Sequence, residues 1–383
     1  MSDYSLVTPL RYDPAYENVE EDEAQTTADL IESLTYISDT NIHYCKHAMR
    51  SVHAKSHGLL RGELQVLDDL PEPYAQGIFA KPATVPVVMR LSTSPGDILD
   101  DSVSTPRGLA VKLVGVEGER LPGSQGDVTQ DFVLVNGPAF MVKDAKSFVK
   151  NLQMLAKTTD RVEGLKKVFS ATLRGVEKVL ESVGSESATI KSMGGQPETN
   201  ILGETFYSQV PIMYGPYMAK IAVAPVSPAL TALTNAPLDV NGKPNGLREA
   251  VMDFFAQHEA EWEVRVQLCT DLDKMPIDDA SVVWPEALSP YVPVARIRAP
   301  AQLGWSDAKS HAIDDGMAFS PWHGVAAHKP IGSIMRIRKT IYDAMAKQRE
   351  QYNGKPVAEP SSLDDFPEDG RAGGEPYILP ATT

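Results

Sequence analysis

A tyrosine and two arginines near the C-terminus share one side of a predicted helix. The segment RIRKTIYDAMAKQREQYNG has helical periodicity, and at 100° per residue Arg338, Tyr342 and Arg349 fall within about 40° of one another. Such cations can be simple surface decoration, but they can also favour the phenolate form of Tyr342. A phenolate is a hard anionic ligand suited to ferric iron, so this helix face is a candidate metal site.

A second group combines histidine, serine, arginine and asparagine side chains in the first part of the chain. The segment RSVHAKSHG contains His53, although a lone histidine is usually structural. VVMRLSTSPGD places Arg90 and Ser92 two residues apart in a predicted strand, where alternation directs both side chains to the same face. A buried guanidinium requires an anionic partner. Asn136 ends the apolar run QDFVLVN, where an amide is often only a turn former.

Other residues of chemical interest lack the spacing that a catalytic motif requires. The sequence has no HExxH zinc motif, no GxGxxG fingerprint, no Walker loop and no nucleophile elbow. We therefore interpret His57, His323 and His328 as non-catalytic. Arg107, in TPRGLAVKL, is predicted to serve strand entry and packing.

Composition excludes several classes of function. The 383 residues are 42% hydrophobic with a formal net charge of −15, and an acidic chain lacks the basic surface that nucleic acid requires. Two distant cysteines, Cys45 and Cys269, predict no disulfide framework. No signal peptide or membrane-spanning run is apparent, so we expect a cytoplasmic protein acting on a small molecule.

The candidate residues lie on strands and helices that alternate along the chain. Strand-like runs fill about 51–141 and recur after a predicted helical insertion at about 144–184. This order predicts an α+β fold with an antiparallel sheet, and the pattern leaves closure into a barrel open. We expect an N-terminal arm over 1–26, a main domain over 27–352 and a polar, solvated tail over 353–383.

Taken in order, these segments resemble the haem catalase family. The similar segments are RSVHAKSHG, VVMRLSTSPGD, TPRGLAVKL, NGPAFMVKDAKSF, EWEVRVQLCTDLDKMPIDDASVVWP, AFSP and the RxxxY helix with an arginine seven residues on. The resemblance covers roughly residues 45–350. It implies a haem-binding antiparallel β-barrel with surrounding helices, so that 27–352 would be a catalase-like haem domain.

The resemblance implies a role for each candidate residue. His53 would be the distal acid/base, Ser92 the hydroxyl that orients its ring, and Asn136 the amide that binds substrate. Tyr342 would be the proximal iron ligand, and Arg338 would stabilise its phenolate. The other implied contacts to haem b are three propionate-binding arginines and three apolar residues: Arg50, Arg90, Arg349, Val52, Phe140 and Phe148.

Departures from the family define a compact, catalase-related peroxidase branch. We expect a fold without the usual C-terminal catalase extension, and YDAMAKQREQ replaces the usual sequence after the proximal tyrosine. The resemblance implies a haem-dependent hydroperoxidase that reduces hydrogen peroxide or an organic hydroperoxide, with an organic electron donor and a homo-oligomer as further expectations. The alternatives are a fatty-acid hydroperoxide lyase or dehydratase, similar to allene oxide synthase, and a haem-binding protein without catalysis.

Overall fold

The strand-like segments of the sequence pair into one antiparallel sheet that closes on itself. The computed structural model describes residues 7–156, 196–364 and 366. Among these residues the strands are β1 Ser56–Val66, β2 Thr84–Thr93, β3 Arg107–Val114, β4 Thr129–Val135, β5 Phe206–Tyr207, β6 Ile212–Tyr214, β7 Tyr217–Pro225, β8 Ala260–Leu268 and β9 Val292–Ala299. The order β5-β4-β3-β2-β1-β9-β8-β7 becomes a ring of eight strands because β5 also pairs with β7. The predicted α+β class and the implied barrel are both confirmed.

Helices pack around this barrel. The described helices are α1 Glu23–Cys45, α2 Ala145–Ala156, α3 Pro228–Thr231, α4 Gly246–Phe255, α5 Asp307–Ser310 and α6 Ser333–Asn353. A π-helical turn, His311–Asp315, follows α5 directly. Helix α2 lies at the start of the predicted insertion, and residues 157–184 of that prediction lie outside the described residues. No helix among the described residues has the length and apolar character needed to cross a membrane.

Strand side chains alternate between a barrel interior and an outer face that is also covered. Val87, Met89 and Leu91 belong to the main core, whereas Val88 belongs to a separate outer cluster with Met317 and Phe319. Arg90 and Ser92 have the same parity as Val88, so alternation directs them to the outer face. The outer face of β1 to β3 is therefore where polar side chains meet the π-helical turn.

The first residues of the predicted solvated tail pack against the barrel. In the C-terminal strap, residues 354–364, the backbone N–H of Ala358 donates to the carbonyl of Gly316, and Leu363 is only 7% exposed. Most residues of the strap are exposed or half-buried, as a solvated segment would be, but Leu363 is buried and Glu359 is half-buried through partners that composition does not reveal. The domain boundaries themselves stay predictions.

Glu359 of the strap completes a buried ionic group that we call the lysine cluster: Lys112, Asp131, His323 and Glu359. Lys112 and Asp131 face each other across β3 and β4, with Nζ 2.7 and 2.8 Å from the two carboxylate oxygens. Lys112 Nζ also donates to Glu359 Oε2 at 2.5 Å, and His323 Nδ1 lies 3.0 Å from Glu359 Oε1. Two cationic groups thus meet two carboxylates.

Candidate functional site

His53 has a backbone conformation that its surroundings hold in place. Its φ of 54° lies in the left-handed region, which is costly for a residue with a side chain. The backbone N–H donates to the carbonyl of Ser94 at 2.9 Å. The ring Nδ1 lies 3.1 Å from Ser92 Oγ, so the predicted pairing of histidine and serine is present. Nε2 makes no hydrogen bond to a described residue and is the nitrogen left for chemistry.

The electrostatic surroundings keep the His53 imidazole neutral. Burial lowers its pKa to about 3, and the positive charges of Arg90, Arg338 and Arg50 act in the same direction. At neutral pH the ring therefore carries one proton and one free lone pair. It can accept a proton, as a general base must.

Gly108 allows the ring of His53 to lie directly on the backbone of β3. A Cβ atom built at position 108 would lie 2.5 Å from Cε1 of His53 and 2.6 Å from Nδ1. Since real Cβ atoms essentially never approach so closely, any larger residue would displace the imidazole. Gly108 is paired with Ser92 across β2 and β3, so the hydroxyl and the open backbone surface fix the ring together.

Three arginines meet at the π-helical turn, and with Asp314 they form what we call the arginine cluster: Arg50, Arg90, Arg349 and Asp314. Arg90 Nε donates to Asp314 Oδ1 at 2.6 Å. Arg50 donates to the carbonyls of Ile313, Asp314 and Met317 at 2.7–3.0 Å. Arg349 Nη2 donates to the same Met317 carbonyl at 2.9 Å. The structure thus brings the three predicted propionate ligands together on one short segment.

The arginine cluster carries more positive than negative charge. Burial of Asp314 would raise its pKa, but Arg90 and Arg50 lower it to about 2, so the carboxylate is ionised. Burial lowers the pKa of Arg349 to about 10, and its Nε is buried without a hydrogen-bond partner among the described residues. The adjacent carboxylate, Asp315, bonds to His47 and His311 and acts on Arg50 and Arg349 without a direct bond. Three guanidinium groups therefore face two carboxylates, and the surplus positive charge fits an additional anion such as a propionate.

The predicted proximal residues lie together on the side of α6. Arg338 lies over the ring of Phe140 at 5.8 Å, and the rings of Phe140 and Phe148 are 5.1 Å apart. Arg338 has no carboxylate partner among the described residues, and its one hydrogen bond goes to Met335 Sδ at 3.7 Å. Tyr342 is half-buried against the main core, and its hydroxyl bonds to no described residue. Among the described residues, neither Arg338 nor the Tyr342 hydroxyl is engaged by a carboxylate.

Asn136 is engaged in a separate polar network. Its Oδ1 accepts from the backbone N–H of Arg107 at 2.9 Å, and its Nδ2 lies 3.1 Å from Gln196 Oε1 and 3.4 Å from Glu204 Oε2. Arg107 itself is buried and paired with Glu204, in keeping with its predicted packing role. No hydrogen bond among the described residues joins Asn136 to His53. Val52, beside His53, is half-buried against the main core.

Sequence reasoning missed Asp314 and Gly108. A signal for Gly108 was available, because a glycine inside a strand often marks a close approach of another group. Asp314 gave no such signal, since its position depends on a π-helical turn that the pattern SHAIDDGM does not reveal. π-Helical turns are frequent at functional sites, but they can be recognised only in a structure.

Comparisons with known proteins agree with the fold described above. The catalase family model matches residues 16–168. A fungal catalase shares 18% identity at a TM-score of 0.56, over 90% of this chain and 70% of that one. A bacterial catalase shares 18% identity at a TM-score of 0.54, over 99% of this chain and 70% of the other. Catalase A from Saccharomyces cerevisiae shares 17% identity at 0.54, with 99% and 78% covered. No curated protein sequence matches the chain.

Proposed function

Because the catalase family model matches residues 16–168 and the fold is similar to that of solved catalases, we propose that the chain is a member of this family and a haem-dependent hydroperoxidase acting on hydrogen peroxide or an organic hydroperoxide. The observation that carries this proposal is the neutral imidazole of His53, fixed by Ser92 and Gly108 beside arginines that require an anion. A neutral base next to an anion-binding surface is what peroxide activation at an iron porphyrin needs.

The side chains present fit haem b. Arg349, with its buried unpartnered Nε, and Arg50 would bind the propionates through their remaining N–H groups. Phe140 and Phe148 would pack on the porphyrin. Tyr342 would coordinate the iron, and the uncommitted cation of Arg338 would favour its phenolate. Bound haem would supply the redox-active iron at which the peroxide O–O bond is cleaved.

His53 would move the proton that this cleavage requires. Its free Nε2 accepts a proton from the hydroperoxide and returns it to the departing oxygen, while Ser92 holds Nδ1 and so fixes the direction of Nε2. Asn136 stays the predicted substrate amide from the resemblance, although its Nδ2, the group that would donate, bonds to Gln196 and Glu204 in this structure. General acid–base help of this type contributes about 10²–10⁴-fold in rate.

The optical spectrum of the purified protein, followed by oxygen evolution on adding hydrogen peroxide, tests the proposal. We expect a haem spectrum and either oxygen release or oxidation of an added phenolic donor. A protein that stays colourless after haem addition would contradict haem binding. Conversion of a fatty-acid hydroperoxide without oxidation of a donor would identify a lyase or dehydratase instead, and a haem spectrum without peroxide turnover would contradict catalysis.

A further inference from the structure

The carbonyl side of His53 is held as firmly as its N–H side. Arg90 Nη2 donates to the carbonyl of His53 at 2.8 Å and to that of Ala54 at 3.1 Å. Arg90 is only 2% exposed, so water does not compete for these bonds. A left-handed residue such as His53 keeps its conformation only when its surroundings over-determine it. Ser94 holds the N–H of His53, Ser92 holds its ring, and Arg90 holds its carbonyl.

Arg90 is in turn fixed by Asp314. Its Nε donates to Oδ1 of Asp314 at 2.6 Å, while the other carboxylate oxygen accepts from Ser56 Oγ and Ser310 Oγ, each at 2.7 Å. The carboxylate thus has a fixed orientation on the π-helical turn. An unbroken series of hydrogen bonds runs from this turn through the guanidinium to the backbone of His53.

We propose that Arg90 and Asp314 are positioning residues for His53. This assignment adds to the propionate contact that the sequence resemblance implies for Arg90, because Nε and Nη2 are bonded within the protein while Nη1 has no hydrogen bond among the described residues. The proposal rests on the proposed function, since it concerns the general base of that reaction. Asp314 acts on the reaction through Arg90 and His53 and touches neither substrate nor cofactor.

The variant Asp314→Asn tests this assignment, with Asp315→Asn as its matched control. Both residues lie on the π-helical turn, but Asp315 bonds to His47 and His311 rather than to Arg90. We expect Asp314→Asn to lower kcat/KM for hydrogen peroxide roughly 10- to 100-fold, as a small misplacement of a catalytic group does. Asp315→Asn should change it little. Equal effects of the two variants would overturn the proposal.

Hydrogen exchange of the haem-free protein gives a readout that does not depend on turnover. The His53 amide, bonded to the carbonyl of Ser94, should exchange at least about tenfold faster in Asp314→Asn, because the loop opens more often once its carbonyl side is released. The control should leave this rate unchanged. An unaltered His53 amide in Asp314→Asn would contradict the positioning role.

A double-mutant cycle separates this proposal from the proposed function. If Asp314 acts through His53, Asp314→Asn should cause no further loss of activity in a His53→Ala background. The same loss in both backgrounds would show that Asp314 acts elsewhere. Near-normal turnover of His53→Ala alone would instead contradict the proposed function.

Arg90→Lys keeps the assignment testable if Asp314→Asn does not fold. Lysine retains the positive charge that a propionate needs. A single ammonium group cannot bond to the Asp314 carboxylate and to the His53 carbonyl in the geometry that Nε and Nη2 of the guanidinium provide. We expect Arg90→Lys to retain haem affinity and to lower kcat/KM. The variant Gly108→Ala, which displaces the His53 ring directly, should lower kcat/KM in the same way and serves as the reference. Normal turnover with weakened haem binding would identify Arg90 as a propionate ligand and overturn the proposal.

Discussion

Two buried ionic clusters occupy the outer face of the same strands and differ in their balance of charge. In the lysine cluster, Lys112 and His323 meet two carboxylates, and Lys112 is fully buried. In the arginine cluster, Arg90 and Arg50 pair with the Asp314 carboxylate, whereas Arg349 bonds to the Met317 carbonyl. Phe319 lies between the clusters, with Arg50 5.9 Å and Lys112 5.6 Å from its ring centre. The charges of the lysine cluster balance among the described residues, and those of the arginine cluster leave a surplus of positive charge.

The contrast shows that the charge balance of a buried cluster can distinguish a structural cluster from a binding site. Asp131, His323 and Glu359 place ligand-type atoms within 4.8 Å of one another, a set that could in principle hold a metal ion. The ammonium group of Lys112 and the protonated His323 together neutralise the two carboxylates there, so the protein supplies its own cations. In the part of the chain that the structure describes, the three guanidinium groups of the arginine cluster have only Asp314 and, without a direct bond, Asp315 as counter-charges. A buried charge left uncompensated costs several kcal/mol and is therefore typical of a binding site.

The largest effect should come from His53, beside the arginine cluster. We expect His53→Ala to lower kcat/KM for hydrogen peroxide by about 10²–10⁴-fold, because the proton acceptor is lost. Its melting temperature should stay close to that of the wild type, since alanine removes no buried ion pair. Steady-state kinetics and calorimetry check the two statements. A large loss of stability would show that this region is also structural and would remove the contrast.

Lys112→Met should have the opposite profile. Removing one partner of a buried ion pair leaves an uncompensated charge, and we expect the free energy of unfolding to fall by about 3–5 kcal/mol. Haem affinity should be unchanged, because Lys112 is committed to Asp131 and Glu359. Denaturant unfolding and haem titration measure the two quantities, with the exposed Lys347→Met as the control. Weakened haem binding in a folded Lys112→Met protein would contradict the division between the clusters.

Arg349→Met sharpens the contrast by removing one surplus cation. We expect haem affinity to fall roughly 10- to 100-fold, the size of one hydrogen bond to a charged group. The haem-free protein should lose no stability, because an uncompensated buried charge disappears. Titration of the haem-free protein, followed at the Soret band, measures the affinity.

Arg336→Met is the matched control on the same helix. Arg336 forms ion pairs with Glu17, Glu23 and Asp278, so its charge is already compensated within the chain. We expect this variant to lose stability and to keep haem affinity. If Arg349→Met lost stability and kept haem affinity while Arg336→Met lost haem affinity, charge balance would not distinguish binding arginines from structural ones.

The smallest effect is a pH dependence of the lysine cluster. Burial lowers the pKa of His323, but hydrogen bonds to Asp131 and Glu359 outweigh it and raise the pKa to about 9 from 6.5. A raised pKa means that His323 contributes stability fully below pH 6.5 and loses the contribution as pH rises through 9. The free energy of unfolding of the wild type should therefore exceed that of His323→Gln by roughly 1–2 kcal/mol at pH 6, and the two should be equal above pH 10. Urea unfolding at the two pH values checks this, and a constant difference would contradict it.

Much of the fold could be predicted from local patterns in the sequence. Alternation in VVMRLST predicted that Arg90 and Ser92 share a face, and both indeed contact His53. Barrel closure could not be predicted, because it depends on pairing of Phe206 and Tyr207 with β7, and two residues carry no periodicity. Long-range pairing is set by the whole ring of strands rather than by any one segment.

The candidate site was predictable in its residue types but not in its partners. The arginines could be identified, yet their counter-charge, Asp314, lies 224 residues from Arg90 along the chain. Asn136 likewise bonds to Gln196, 60 residues away, across a part of the chain whose packing the pattern does not give. The same limit explains why the strap was expected to be solvated, since Glu359 is half-buried only because Lys112 and His323 are placed to receive it.

The pairing of β1 with β9 has a consequence for how the protein is made. Residues 63–66 hydrogen-bond with residues 295–298, and Asp314, Tyr342 and Arg349 follow later still. His53 and Arg90 therefore leave the ribosome long before the groups that hold them exist. A growing chain cannot close its barrel or neutralise its early arginines until most of translation is complete. Assembly of the site is thus a late, nearly all-or-none event, and a prematurely terminated chain would lack one whole side of it.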